Sequence, residues 1–190
     1  MVYGRYTLCL KPHTFSLTLN FNHYMAATGN SKLLQTGAGM LNIQDACVVI
    51  IRTEWNADIV DVLENGCKRI LHEAGLKNTK IITVPGAFEI PFGIKNYWDI
   101  NKDNRPQAFI ALGCVLRGDT PHFDYICKAV TDGIMQLNLI LPVPSIFGVL
   151  TVDNRMQADE RIGGRHGHKG EEAAMTALKM ITMSAGMGDK

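Results

Sequence analysis

From Cys47 onward the chain alternates strand-like and helix-like segments, and this alternation constrains the fold more than any other feature. Cys47 to Ile51 is an unbroken apolar run rich in β-branched residues, the pattern of a strand covered on both faces. Asp58 to Ala74 then carries Ile59, Val62, Leu63, Gly66, Ile70 and Leu71 on one helical face, with Gly75 as a stop. Lys80 to Val84 reads as a second strand closed by Pro85-Gly86, and Phe88 to Trp98 as a short helix. Ala108 to Leu112 reads as a third strand that turns through glycines into the longest helix, His122 to about Ile140, which Pro142 and Pro144 break. Ile146 to Val152 is a fourth strand. Arg155 to Arg161 and Glu171 to Met183 close the chain as two helices around a glycine-rich turn.

Repeated βα units call for a parallel sheet with helices on both faces. The expected fold class is therefore α/β: a three-layer α/β/α sandwich on a four-stranded parallel sheet, flavodoxin-like. A length of 190 residues, 46% of them hydrophobic and 19% charged, suits one ordinary globular domain. The formal charge of +1, with no lysine-arginine run along one face, argues against a nucleic-acid partner. No apolar stretch approaches the roughly 18 residues of a membrane span, so no membrane partner is expected. The five cysteines are scattered and include no C-x-x-C pair, which fits free thiols in a reducing, cytoplasmic setting.

Residues 1–44 stand apart. They contain no acidic residue, only Arg5, Lys11 and Lys32 as cations, and no sustained period beyond a short alternation from Phe15 to Phe21. Three readings compete for this N-terminal extension: a targeting leader, a start placed too early with Met40 as the true one, and an assembly arm. The lack of acid leaves organelle import open.

Polar and aromatic groups gather where the strands end, the edge at which open α/β sheets bind ligands. After the first strand comes Arg52-Thr53-Glu54-Trp55-Asn56, with an aromatic where a loop should be solvated. After the second comes Pro85-Gly86-Ala87-Phe88-Glu89, where glycine permits close backbone approach and Glu89 can accept from two ligand hydroxyls or simply complement a helix dipole. After the third comes Gly113-Cys114-Val115-Leu116-Arg117-Gly118-Asp119-Thr120-Pro121-His122. Thr120 reads as the N-cap and Pro121 as the first helical residue; a helix N-terminus there suits phosphate. Capping leaves Arg117 and His122 unexplained. His122 reads either as a neutral imidazole able to act as a base near pH 7, or as a partly buried structural histidine. The fourth strand contains Phe147-Gly148, and its following helix ends at Arg161, ahead of the basic glycine-rich segment Ile162 to Gly170. This segment is not a P-loop, and His166 with His168 alone make a poor metal site, so no metal is expected. Cys114 reads as strand-end packing, not a nucleophile.

Val84-Pro85-Gly86-Ala87-Phe88-Glu89-Ile90-Pro91, the segment Gly113 to Asp124, Phe147-Gly148-Val149-Leu150-Thr151 and Lys169-Gly170 together resemble the signatures of the lumazine synthase family, in that family's order. The resemblance covers about residues 46 to 183 and implies a catalytic domain over 45–190. It implies a transferase of riboflavin biosynthesis that condenses 5-amino-6-(D-ribitylamino)uracil with 3,4-dihydroxy-2-butanone 4-phosphate to 6,7-dimethyl-8-ribityllumazine, releasing phosphate and water with no cofactor. Carried over residue by residue, it implies that Trp55 stacks on the pyrimidine and that Ala87, Phe88 and Glu89 hold the ribityl chain. Cys114, Val115 and Leu116 then read the uracil edge. Asp119 and Thr120 bind phosphate with Arg161, His122 transfers protons, Phe147 reaches an adjacent subunit's site, and Lys169 adds a polar contact. The resemblance also implies a homo-oligomer: a pentamer, and in members with a similarly short Arg161-to-Lys169 turn an icosahedral 60-mer. Two other readings use the same fold. A flavin- or lumazine-binding carrier would not need His122 and Arg161 together. A flavodoxin-like electron carrier should be more acidic, with a hydroxyl-rich loop in place of Arg52 to Asn56.

Overall fold

The computed structural model describes residues 43–188. The readings made for residues 1–42 lie outside the described residues. Four strands, β1 (Cys47–Thr53), β2 (Asn78–Val84), β3 (Ala108–Leu116) and β4 (Ser145–Val152), form one parallel sheet in the order β2-β1-β3-β4. Helices α1 (Ala57–Glu73) and α5 (Lys169–Gly188) cover one face. Helices α2 (Ile90–Ile100) and α3 (His122–Ile140) cover the other. The expected three-layer sandwich is what the chain builds.

The central strands explain this layering. Seven of the nine residues of β3 are buried, and alternate side chains enter two separate cores. Ala108, Ile110, Leu112 and Cys114 point toward α1 and α5, with Val48, Ile50 and Leu178. Phe109 and Ala111 point toward α2 and α3, with Val49, Ile51, Ile94 and Ile134. Strand β2 lies at an edge, is exposed at four of its seven positions, and carries Lys80, as edge strands do when they avoid further pairing. Arg52 sits near the end of β1 on the α1 side, where it pairs with Glu64 at 2.7 Å and Asp61 at 2.5 Å.

Several boundaries differ from the sequence expectation for tertiary reasons. Strand β3 does not turn at Gly113; it continues to Leu116, paired in register with Val149 to Val152 of β4. A β-carbon at Gly113 would lie 3.1 Å from Thr53 Cγ2, so this glycine serves close packing within the sheet and not a turn. The short helix after β2 begins as a 3₁₀ turn at Ala87–Glu89 before α2. The helix after β4, α4 (Arg155–Asp159), stops short of Arg161, so Arg161 lies outside it. The glycine-rich segment is a small antiparallel hairpin, β5 (Ile162–Gly164) with β6 (Gly167–His168), leading directly into α5.

Helix α5 meets α1 very closely at its start. A β-carbon on Gly170 would fall 2.0 Å from the Leu63 carbonyl oxygen, and one on Gly66 would strike the His168 imidazole. These two glycines set the depth at which α5 seats on α1, and so the position of Lys169 and the hairpin before it.

Candidate active site

The β1–α1 loop is held by four hydrogen bonds that together aim Trp55. The Glu54 and Trp55 amides donate to the carbonyls of Val84 (2.9 Å) and Pro85 (3.2 Å), and Thr53 Oγ1 donates to the Trp55 carbonyl at 3.2 Å. Asn56 adopts the left-handed conformation (φ 57°), and its Nδ2 donates to the Cys114 carbonyl at 2.8 Å. Asparagine tolerates that conformation better than most residues, which is why it can stand here. Asn56 thus ties the Trp55 loop to the end of β3, a link the sequence reading missed. The signal was present as an asparagine directly after an aromatic in a strand–helix loop.

Beside this loop, Gly86 gives the site its floor. A β-carbon there would lie 3.7 Å from Trp55 Cδ1 and 3.0 Å from a Glu89 carboxylate oxygen. The aromatic ring and the carboxylate therefore flank a single stretch of bare backbone. Trp55 is 73% exposed and Phe88 59%, although both are large apolar groups. Ala87 is buried and Glu89 half-buried. Cys114 is buried, with Val115 and Leu116 half-buried at the strand end. Burial pushes the Cys114 thiol up to about 11, so it is not a thiolate near neutral pH and the packing role holds.

Past β3, the expected cap is corrected. Helix α3 starts at His122, its N-cap position falls on Pro121, and no side chain caps it, so Thr120 is not the cap. That frees the Thr120 hydroxyl. Asp119, Thr120 and His122 are all exposed in the single chain. Arg117 is engaged elsewhere: its Nε donates to Asp153 at 2.8 Å, its Nη2 lies 3.2 Å from Asp124, and its guanidinium stacks 4.0 Å from the Phe123 ring centroid. The guanidinium in turn holds the Asp153 carboxyl below its ordinary range.

Phe147, Arg161 and Lys169 assemble separately. They line a groove of about 830 Å³ along β4, between the end of α3 (Asn138, Leu141) and α5. Arg161 Nη1 donates to the Gln157 carbonyl at 2.8 Å, and Lys169 Nζ pairs with the Glu172 carboxylate at 2.8 and 2.9 Å. Phe147 is not at the carboxyl edge of the sheet. It pairs in register with Ala111, three residues before Cys114, which is roughly 10 Å along the strand. Within one chain the candidate residues fall into two groups: Phe147, Arg161 and Lys169 line this groove, while Trp55, Ala87 to Glu89, Cys114 to Leu116, Asp119, Thr120 and His122 lie at or after the carboxyl ends of β1, β2 and β3 and do not line it. His166 and His168 do not converge. His166 Nε2 lies 3.5 Å from Glu160, while His168 is turned against α1 and its Nδ1 accepts from the Glu171 amide at 3.4 Å.

Residues 45–185 match the family model described as 6,7-dimethyl-8-ribityllumazine synthase. The chain belongs to the lumazine synthase family. It is similar to the 6,7-dimethyl-8-ribityllumazine synthase of Parabacteroides distasonis, 48% identical over 138 residues, covering 72% of this chain and 84% of that protein. It is 49% identical over 139 residues to the protein of that name from Porphyromonas gingivalis, covering 72% of this chain and 84% of the relative. To the one from Kineococcus radiotolerans it is 37% identical over 165 residues, or 86% of this chain and 96% of that protein. As a member of this family the chain is a transferase of riboflavin biosynthesis. No helix among the described residues is long and apolar enough to cross a membrane.

Proposed function

We propose that this member of the lumazine synthase family condenses 5-amino-6-(D-ribitylamino)uracil with 3,4-dihydroxy-2-butanone 4-phosphate to 6,7-dimethyl-8-ribityllumazine. Residues 45–190 are the catalytic unit and residues 1–44 an extension to it. The carrying observation is the exposed Trp55 face beside the bare Gly86 backbone and the Glu89 carboxylate, at the carboxyl edge of the sheet. A planar pyrimidine stacks on the indole, worth roughly 0.5–1.5 kcal/mol beyond buried area. The polyhydroxylated ribityl chain lies along Ala87 to Glu89. The ends of Cys114 to Leu116 offer backbone donors and acceptors to the ring edge.

The butanone phosphate lies past β3. Its phosphate is held by the turn at Asp119 and Thr120, with Arg161 of a neighbouring copy as counter-charge, because Arg161 and Phe147 lie in the other half of the site. The reaction needs the 5-amino nitrogen to attack the ketone and lose water as an imine. Elimination of phosphate and ring closure with loss of a second water follow. Each step moves a proton, and His122, exposed beside the phosphate turn, is the group to carry it; one positioned acid–base group is worth ~10²–10⁴-fold. Holding two reactants in contact contributes more, up to roughly 7–11 kcal/mol of barrier.

The same division between halves supports a homo-oligomer, which we assign as a pentamer with each site shared by adjacent copies. The test is direct: the purified chain, given both substrates, should generate lumazine fluorescence and release inorganic phosphate. Absence of both products overturns the reaction. Light scattering that gives a monomer at micromolar concentration overturns the shared site. A stoichiometric flavin bound to the purified protein, without turnover, would favour a carrier instead.

A further inference from the structure

We infer that Arg117 is a positioning residue that staples the Gly118-to-His122 turn in place. This rests on the reaction proposed above, in which that turn holds the phosphate and the proton-transfer histidine. The turn has no side-chain anchor of its own: among the described residues, no hydrogen bond or ion pair involves the side chains of Asp119, Thr120 or His122, and all three are exposed. Arg117 stands immediately before the turn and grips both of its flanks. Its Nε reaches back to Asp153 at the end of β4, its Nη2 reaches forward to Asp124, and its plane covers Phe123. Its own amide donates to the Val152 carbonyl at 2.9 Å, so the staple is rooted in the sheet.

The charge count argues against the simpler role of phosphate ligand. Two carboxylates already engage its Nε and Nη2, so the cluster carries a net negative charge that disfavours a phosphate dianion. What arginine supplies is its planar fork, which bonds Asp153 and Asp124 while stacking on Phe123; lysine has neither plane nor fork. The effect on catalysis therefore passes through the turn.

The experiment compares Arg117→Gln, Arg117→Lys, Asp153→Asn and the Arg117→Gln/Asp153→Asn pair, with Lys128→Gln, which breaks only a surface pair within α3, as control. Arg117→Gln is expected to lower kcat and raise KM for the butanone phosphate, for a combined loss of roughly ten- to a hundredfold, while KM for the ribitylaminouracil stays within about twofold. Arg117→Lys should recover only part of the loss. The double variant should be no worse than Arg117→Gln alone. Wild-type kinetics in Arg117→Gln, full recovery in Arg117→Lys, or additive losses in the pair would overturn the staple. So would equal losses for both substrates that track a fall in Tm. Should Arg117→Gln fail to fold, Arg117→Lys and Asp153→Asn carry the same comparison. Hydrogen exchange provides a readout that needs no substrate. The Asp124 and Tyr125 amides, both bonded to the Pro121 carbonyl, should exchange faster without Arg117; unchanged exchange overturns the staple. A wild-type chain that makes no lumazine would instead overturn the proposed reaction.

Discussion

Replacing Gly170 by alanine tests whether the seating of α5 on α1 is as tight as the backbone geometry makes it. The added β-carbon would sit 2.0 Å from the Leu63 carbonyl oxygen, and 2.8 and 2.9 Å from that residue's carbonyl carbon and Cα. All three atoms are backbone within a helix, so no rotamer change relieves the clash. A carbon–oxygen contact relaxes at roughly 3.3 Å, so α5 must retreat by about 1.3 Å. That movement opens a seam that contains Leu63, Cys67, Ala174, Ala177 and Leu178, none of which has exposed surface. Overpacking of this kind costs about 1–3 kcal/mol, and alanine's better helix propensity returns at most about 1 kcal/mol. The expected net loss is about 2 kcal/mol, or roughly 4–8 °C in Tm for a domain of this size. Thermal unfolding at a fixed protein concentration is the assay, with Gly186→Ala as control: Gly186 lies in the same helix with nothing within 4 Å of its added carbon. A Gly170→Ala variant that melts within about a degree of wild type would refute the reasoning. The retreat should also reach the β4 groove, because Lys169 immediately precedes Gly170 and its amide donates to the Arg161 carbonyl at 2.8 Å.

Burial pushes the His168 imidazole down from its ordinary range, against the opposing pull of Glu171. The unfolded chain therefore takes up that proton first as pH falls below about 6.5, and stability should be complete above that pH and decline toward pH 5. Urea unfolding of His168→Gln should show a shallower decline over this interval; identical slopes in the two proteins would count against the buried imidazole. Asn56→Ala forces an ordinary residue into the left-handed conformation at roughly 1–2 kcal/mol and removes the bond to Cys114, whereas Asn56→Gly removes only the bond. Urea midpoints should rank wild type above Asn56→Gly above Asn56→Ala, and equal midpoints for the two variants would remove the backbone argument. In the catalytic assay, His122→Ala should retain measurable activity with kcat reduced by ~10²–10⁴-fold, and Arg161→Ala should chiefly raise KM for the butanone phosphate. Near-normal kinetics in both would remove the site assignment.

The order of strands and helices was legible because each apolar run reports directly on how many of its faces are buried. Val48 to Ile51 shows no surface at all, and the chain there shows no polar alternation. Gly113 misled because locally a glycine signals a turn, while its actual reason is Thr53 on the neighbouring strand. The cap at Thr120 misled in the same way: the spacing was right to within one residue, but helix ends depend on geometry that composition only suggests. Arg117 was visibly out of place in the sequence, yet its principal partner, Asp153, lies 36 residues downstream, so a local reading could not separate a staple from an anion ligand.

That separation changes what the site requires. With Arg117 paired to two carboxylates, Arg161 is the guanidinium lining the β4 groove that meets only a backbone carbonyl among the described residues, and Lys169 beside it is paired with Glu172. A phosphate seated on the exposed Thr120 turn still needs a strong cation, since helix N-terminal amides alone contribute a modest field. Register separates Phe147 of the same chain from that turn: it lies level with Ala111, well before the carboxyl edge, while Trp55, proposed to stack on the pyrimidine, lies beyond the carboxyl end of β1. The proposed condensation therefore carries a structural demand of its own. Either a second copy brings its Phe147 and Arg161 to this edge, or the turn binds phosphate too weakly for the chemistry assigned to it. Mixing a chain bearing Arg161→Ala with one bearing His122→Ala distinguishes the two. Sites built from two copies should regain activity above that of either variant alone, whereas self-contained sites should show only the weighted mean.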